Sequence, residues 1–475
     1  SGIMNIIPGG SMFKTSNAVI KYIKEKSINE VDLKYTDLLG RWHHLTVPAN
    51  ASVKKVIKEG EGIDASSHKG FASVEGSDAI IIPDIKTGFL DTGKNRKTLS
   101  FICDVCDCLK RKPISTSPRG IAKKAVKYLK KTGFADNLFA SPEFEFHIFD
   151  RLSFDIGGYG SHFEVSSAEA PYDENNPVSF IKKDEGYHAE EPFDKLYEIR
   201  GKISKGLEEA GIPVKYHHHE RGGPSQMEIE VYFKPLLATA DHIMKAKYLI
   251  RVIAARFNKT AIFLPKPLNG VSGNGMHIHL YLAKNKKSVF FDKNGIEGLS
   301  KIALHFIGGI LKHGRAITGF ACASTNSYKR LTPGYEAPVF FSYSGANRSA
   351  AIRIPLYVTK PSEKRIEFRI SDASANPYLL LSTLLLAGID GIKNAVDPGK
   401  PANVDLYKNR PSGLKMIPES LEQALNSIDE DREFLNQGNV FNDNIIDKWL
   451  TIKGLEVKEV KETVSPIDYK LYFDL

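Results

Sequence analysis

Four short segments place carboxylate, imidazole and guanidinium side chains two residues apart, the spacing that puts them on one face of a β-strand. In SPEFEFHIFD, Glu143, Glu145 and His147 share one face and Phe144, Phe146 and Ile148 the other. In QMEIEVYF, Glu228 and Glu230 oppose Met227, Ile229 and Val231. In GMHIHLYL, His277 and His279 oppose Met276, Ile278 and Leu280; in KRIEFRI, Arg365, Glu367 and Arg369 oppose Ile366, Phe368 and Ile370. Any antiparallel sheet with one wet face alternates in this way. The residue types set these strands apart, because an ordinary solvated face favours Lys, Thr, Ser and Gln. Carboxylates crowded on one sheet raise each other's pKa unless cations neutralise them. Carboxylate oxygens with one or two imidazoles suit Mg2+ or Mn2+ better than Zn2+, so a divalent-metal site is the expected chemistry.

A second group is cationic. STNSYKRLTPGYEAP followed by GANRSAAIRIP supplies Lys329, Arg330, Arg348 and Arg353, to be read with Arg365 and Arg369. Arginine forks match the paired oxygens of carboxylates and phosphates. The chain has neither a Walker phosphate loop nor a strand followed by GxGxxG, so a nucleotide would be held by metals and arginines. His217, His218 and His219 are consecutive, and neighbours on a strand point opposite ways. The three cannot share one ion and are expected to be ordinary strand residues. Glu220, across the turn-forming RGGPSQ from Glu228, is better placed.

The elements that must position these groups can be read from the pattern. A length of 475 residues with 42% hydrophobic and 25% charged residues fits a globular chain of two unequal domains. The net charge of +9 is spread along the chain, which favours anionic small substrates over nucleic acid. No apolar run is long enough for a membrane span, and the most apolar stretch, from Pro377, contains Asp390. No secretory signal is evident, and four cysteines, three of them in CDVCDC, suggest a reducing, cytoplasmic setting. That cluster is expected to be part of a buried strand, since a zinc site needs a second ligand pair. VDLKYTDLLGRWHHLTV reads as a hairpin around Leu39-Gly40, with AIIIPD and LSFICDV as further strands. IAKKAVKYLKKTG has helical spacing closed by Gly133. Beyond it the order is α+β: a loop-rich insertion over 152–192, a helix from Phe193 to Ala210, a strand from Gln226 to Phe233 and a long helix to Asn258.

With those motifs in view, the sequence resembles type I glutamine synthetases. KTAIFLPKP, GMHIH, NSYKRLTPGYEAPV, NRSAAIRIP, RIEFR and ANPYLLL occur in that family's order and spacing, and the likeness runs from Thr36 to the C-terminus. The resemblance implies an α+β fold with a small N-terminal β-grasp domain over 1–112 and a large catalytic domain with a curved antiparallel sheet over 113–475. It implies a dodecamer of two hexameric rings with active sites between neighbouring subunits. By motif, Glu145, Glu220 and Glu228 match the ligands of one divalent ion, and Glu143, His277 and Glu367 those of another. Gly273, Arg330 and Arg369 match residues that hold glutamate, Arg369 also meeting the transferred phosphate; His279, Arg348, Arg353 and Arg365 match positions on ATP. Asp64 and Glu336 match the acidic pair that binds and deprotonates ammonium, Asp64 coming from the adjacent subunit.

The implied reaction is ligation of ammonia to the γ-carboxylate of L-glutamate through γ-glutamyl phosphate, at the expense of ATP. An organic amine in place of ammonia is the nearer alternative and a non-catalytic regulatory homologue the more distant one. The chain departs from the family at Ser272 in VSGNGMH, at Phe71 in place of a Trp, at Ser362 in place of a Lys, and at Ile370-Ser371-Asp372. Glu367→Ala is expected to stop phosphoryl transfer while leaving the chain folded. Tyr407, where some members carry a tyrosine that is adenylylated, is expected to be accessible in its polar loop.

Overall fold

Alternation in the first third of the chain produces the expected hairpin. Strand Glu30–Thr36 pairs antiparallel with Trp42–Pro48, and Gly40, at φ 79°, supplies the left-handed turn. The computed structural model, which describes residues 12–72, 76–171, 180–408 and 413–472, adds three further strands. Strand Thr98–Asp107 runs parallel to the first strand and antiparallel to Asp78–Pro83, which pairs in turn with Glu61–Asp64. Val31, Leu33 and Phe101 on this sheet, Val19 and Ile23 on helix Ser16–Glu25, and Phe71 form one small core. Cys103 and Cys106 are buried in the Thr98–Asp107 strand, and all four cysteines are free.

Helix Pro118–Thr132 follows. Ser117 caps it through the amide of Gly120, Pro118 occupies its first turn, and Gly133 closes it at φ 75°. The larger sheet has the strand order Val214–His219, Gln226–Val231, Asn137–Phe149, Ile278–Lys284, Ile366–Phe368, Ile352–Ile354, Tyr343–Gly345. Its pairings are antiparallel except the last, which is parallel and departs from the all-antiparallel expectation. One face of this sheet is apolar throughout. Phe144, Phe146, Met227, Ile229, Ile278, Leu280, Ile366 and Phe368 are fully buried against helices that include Leu236–Arg256 and Pro377–Lys393. The second of these helices is buried on nearly all sides, as its sequence LLLSTLLLAG requires. Among the described residues no helix is long and apolar enough to cross a membrane.

The helix expected from Phe193 spans Tyr197–Glu209, and the long helix ends at Arg256. The insertion differs from the expected loop. Strands Arg151–Ile156 and Ser161–Ser166 form a two-stranded hairpin in which Leu152 faces Val165 and Phe154 faces Phe163. The period-2 alternation of Leu152, Phe154 and Ile156 was a strand signal. Phe154, Ile156 and Phe163 leave its apolar face open to solvent.

Candidate active site

The polar face of the large sheet forms the floor of a cleft of about 580 Å³. Strand registers build that floor in rows. His218 stands opposite Glu228, and Glu228 opposite Glu145; one step along, Glu230 stands opposite Glu143. On the other side of the central strand, His279 faces Glu367, and Glu367 faces Arg353. Residues more than two hundred apart in sequence are thus brought within ångströms of each other by hydrogen-bonded backbone alone.

Two clusters of metal-ligating atoms result. Glu143, His277 and Glu367 converge, with His277 Nδ1 at 3.0 Å from Glu143 Oε2 and 3.6 Å from Glu367 Oε1. His218, Glu220 and Glu228 form the other; His218 Nε2 lies 3.3 Å from Glu228 Oε1, and its Nδ1 3.6 Å from Glu220 Oε2. Glu145 lies between them, accepting from the Gly275 amide at 2.7 Å and standing 3.7 Å from His277 Nε2. Glu230 also approaches Glu143 and His279, but Lys215 donates to both its oxygens at 2.8 and 2.9 Å.

The electrostatics of the clusters differ. Burial, reinforced by Glu143 and Glu145, pushes the Glu228 carboxyl well above the usual range; burial, Glu228 and Glu145 do the same to Glu220. Glu143 is also buried, but His279 and His277 outweigh that and hold it well below. Glu367, fully buried, is held down to about 2, the burial being outweighed chiefly by Arg369, with Arg353 adding to it. Oε2 of Glu220 is buried with no hydrogen-bond partner. Carboxyls that repel one another, an orphaned oxygen and a set of oxygens with single imidazoles are the chemistry of a divalent-cation site, and these residues fit one.

Arginines line the rest of the cleft. Arg369 Nη1 donates to Glu367 Oε1 at 2.6 Å and Arg353 Nε bonds the other oxygen, while Arg348 is exposed with no ion pair among the described residues. Arg330 donates to the carbonyls of Ile370 at 2.8 Å and Arg369 at 3.2 Å. Two glycines lie close beside it, and only the first would meet backbone. A Cβ on Gly273 would lie 2.2 Å from the Pro265 carbonyl, and one on Gly275 2.7 Å from Arg330 Nη2. Ser272 also lines the cleft.

Several residues lie elsewhere than expected. His279 does not line the cleft: it is 1% exposed, with Nε2 2.7 Å from Glu143 Oε1. Arg365 is also off the lining, its guanidinium between the rings of Phe233 and Tyr357 at 5.6 and 5.8 Å. His147 is buried beside Asn274 Oδ1 at 2.9 Å, and burial lowers it to about 3. Asp64, which the resemblance assigns to a neighbouring subunit's site, is exposed on the small domain, where it accepts from the Ser66 amide, and is not among the residues lining this chain's cleft. Tyr407 is not freely accessible. Its hydroxyl donates to the Ala337 carbonyl at 2.9 Å, and burial raises it to about 12.

His218 and Arg221 are among the cleft residues that escaped the sequence reading. His218 was set aside because three adjacent histidines cannot share an ion; alternation excludes His217 and His219 but leaves His218 on the Glu228 row. Arg221, in a Gly-rich turn with no periodicity, pairs with Glu336 across the cleft mouth and had no signal beyond its position next to Glu220.

A sheet-floored cleft carrying two acidic, imidazole-containing clusters and a fan of arginines, beside a separate small β-domain, is fitted to anionic substrates and to divalent cations. Residues 27–108 match the glutamine synthetase β-grasp domain and residues 115–472 the glutamine synthetase catalytic domain. A glutamine synthetase of Methylococcus capsulatus is 42% identical over 471 residues, covering 97% of this chain and 100% of that protein. One of Pseudomonas aeruginosa is 42% identical over 463 residues, 95% of this chain and 98% of that one. The glutamine synthetase structure from Plasmodium falciparum superposes with a TM-score of 0.89 at 30% identity, covering 98% of this chain and 100% of that one. The chain belongs to the glutamine synthetase family. It is a ligase that joins ammonia to glutamate.

Proposed function

We propose that the cleft carries out this ligation in two steps, with ATP as phosphoryl donor. The convergence of both acidic clusters and five arginines on one cleft is the observation that carries the reading. A carboxylate is a poor electrophile, so an oxygen of glutamate's γ-carboxylate attacks the terminal phosphorus of ATP and ADP leaves. Ammonia nitrogen then attacks the γ-carbonyl carbon of γ-glutamyl phosphate, and phosphate departs with the C–O electron pair.

Glu143, His277 and Glu367 would hold one divalent ion, Mg2+ or Mn2+, and Glu220, Glu228 and Glu145, with His218 beside them, another. Bound there, such ions neutralise charge on the triphosphate and the transferring phosphoryl group. Arg348 and Arg353 meet phosphate oxygens; Arg369, fixed on Glu367, meets the γ-carboxylate and the phosphoryl group; Arg330 and the bare backbone at Gly273 shape the glutamate pocket. His279 supports Glu143 from behind. Glu336 concentrates ammonium and takes the proton that makes it nucleophilic.

Asp64 would reach a neighbouring chain's cleft, which makes an assembly necessary, and two stacked six-membered rings are the arrangement we favour. The solvent-facing Phe154, Ile156 and Phe163 are the kind of surface that a subunit contact covers. Four free cysteines accord with a cytoplasmic setting. We place the domain boundary at residues 112 and 113. The testing experiment is phosphate release from ATP with glutamate, comparing ammonium against a panel of amines. Release that depends on ammonium and a divalent ion supports the reading, and faster turnover of an amine such as putrescine replaces it with an amine ligase.

A further inference from the structure

Arg221 follows Glu220 directly in the turn between the Val214–His219 and Gln226–Val231 strands. Its Nη1 donates to Oε1 of Glu336 across the mouth of the cleft, and both residues line it. The backbone that carries Glu336 is held independently of that pair. Glu336 takes a left-handed φ of 57°, its carbonyl accepts from Arg369 Nη2 at 3.3 Å, and the next carbonyl accepts from Tyr407 at 2.9 Å. The segment is pinned, and the carboxylate alone is free to change partners.

We propose that Arg221 is a positioning residue that sets the enzyme's response to ammonium: its guanidinium occupies the cation subsite at Glu336, and incoming ammonium displaces it. This rests on the reading that Glu336 receives ammonium. Arg221 holds Oε1 of Glu336, and two cations drawn to one carboxylate repel each other, so guanidinium and ammonium ion compete for it. The strength of the pair decides whether that competition is workable. Its side chains are 43% and 37% exposed, and a pair so open to water is weak enough to exchange while still holding the carboxylate in place before the nitrogen donor arrives. Replacing Arg221 by a neutral side chain of similar length should therefore lower the KM for ammonium about three- to fivefold.

The test uses Arg221→Met, Arg221→Lys, Glu336→Gln and the double variant Arg221→Met with Glu336→Gln in the full-length assembly. KM values for ammonium, glutamate and ATP are measured for each. Arg221→Met should lower the ammonium KM and leave those for glutamate and ATP unchanged, whereas Arg221→Lys, which keeps the charge, should stay near the parent value. In the Glu336→Gln background the same Met substitution should have no effect on ammonium KM. An ammonium KM that is unchanged or raised in Arg221→Met, while Glu336→Gln raises it, overturns the role of Arg221 alone. If Glu336→Gln leaves the ammonium KM unaltered, the assignment of Glu336 fails and the role of Arg221 falls with it.

Discussion

Glu228 stands directly opposite Glu145 on neighbouring antiparallel strands, both buried, and among the described residues neither is paired with a Lys or Arg. Like charges in that position oppose sheet formation, and the central strands carry them next to a fully apolar face that supplies the driving force for pairing. The sheet is stable despite its functional face.

Relief of that repulsion should be measurable. Glu228→Gln keeps the shape of the side chain and removes one charge from the row, so in excess chelator the variant should unfold at a higher temperature than the parent. Added Mg2+ should raise the unfolding temperature of the parent and do much less for the variant. A variant that is less stable than the parent in chelator would show that the row is not under electrostatic strain.

Glu367 requires a revision of what its removal does. It is fully buried and holds Arg369 at 2.6 Å and Arg353 on its other oxygen, so alanine would strand two guanidiniums as well as remove a proposed metal ligand. Breaking such a pair costs roughly 3–5 kcal/mol. Glu367→Ala should therefore lose phosphoryl transfer and also shift denaturant unfolding to a lower midpoint. Loss of activity with an unchanged midpoint would restore the simpler expectation of a purely catalytic side chain.

Arg119 joins the two cores. Its guanidinium bonds Asp84, just past the Asp78–Pro83 strand, at 2.8 Å, Asp104 on the small sheet at 2.7 Å, and Asp241 on helix Leu236–Arg256 at 3.0 Å. Arg119→Met leaves Asp84 and Asp241 without their cation, while Asp104 keeps Lys123, and should destabilise the chain by roughly 3–5 kcal/mol. Burial would raise the Asp84 carboxyl, but Arg119 outweighs it and holds the pKa below the ordinary value of 3.8. A group depressed in this way contributes stability that is complete above its unfolded pKa and lost as pH falls through the folded value. The gap in stability between parent and Arg119→Met should hold from neutral pH down to about pH 4 and narrow below it. A gap independent of pH down to 2 would place the effect in packing instead.

Gly275 tests how closely the cleft is built. An added Cβ would meet Arg330 Nη2 at 2.7 Å, His277 Nε2 at 2.9 Å and Glu145 Oε1 at 3.1 Å, all side-chain ends that can move. Gly275→Ala should fold, because those ends can give way. Its kcat should drop about a hundredfold, since displacements near 1 Å are felt at that scale. A kcat within a factor of two or so of the parent would show that the three groups need no fixed positions.

The strand faces were legible because period 2 is a strict consequence of the pleat, so Glu143, Glu145, Glu228, His277 and Glu367 could be paired before their strands were placed. Register was not legible. The row joining His218 to Glu228 depends on where a Gly-rich turn lets two strands align, and it returned His218 to a site from which adjacency had excluded it. His279 shows the converse: alternation puts it on the polar face, but Glu143 stands between it and the cleft, a matter of depth that spacing does not encode. The hairpin at Arg151–Ile156 was legible in the alternation of Leu152, Phe154 and Ile156, but that signal was short and set among turn-forming residues. Tyr407 was judged from the polarity of its loop, and a single hydrogen bond to a distant carbonyl reversed that judgement.

Asp64 offers the sharpest test of assembly. It is exposed at the end of a small-domain strand, hydrogen-bonded to Ser66 and Ser67, and is absent from the lining of its own chain's cleft. If it completes a neighbour's site, then each active site takes its floor from one chain and its aspartate from the next. Two inactive variants should rescue each other. Asp64→Ala chains keep an intact floor, and Glu228→Gln chains keep an intact Asp64, so a ring assembled from equal parts of both regains the complete combination at about a quarter of its sites. Glutamine formation by the co-assembled mixture should approach that fraction of the parent rate, while each variant alone stays near background. Mixtures no more active than the separate variants, with mixed assembly confirmed by mass, would show that Asp64 does not act across the interface.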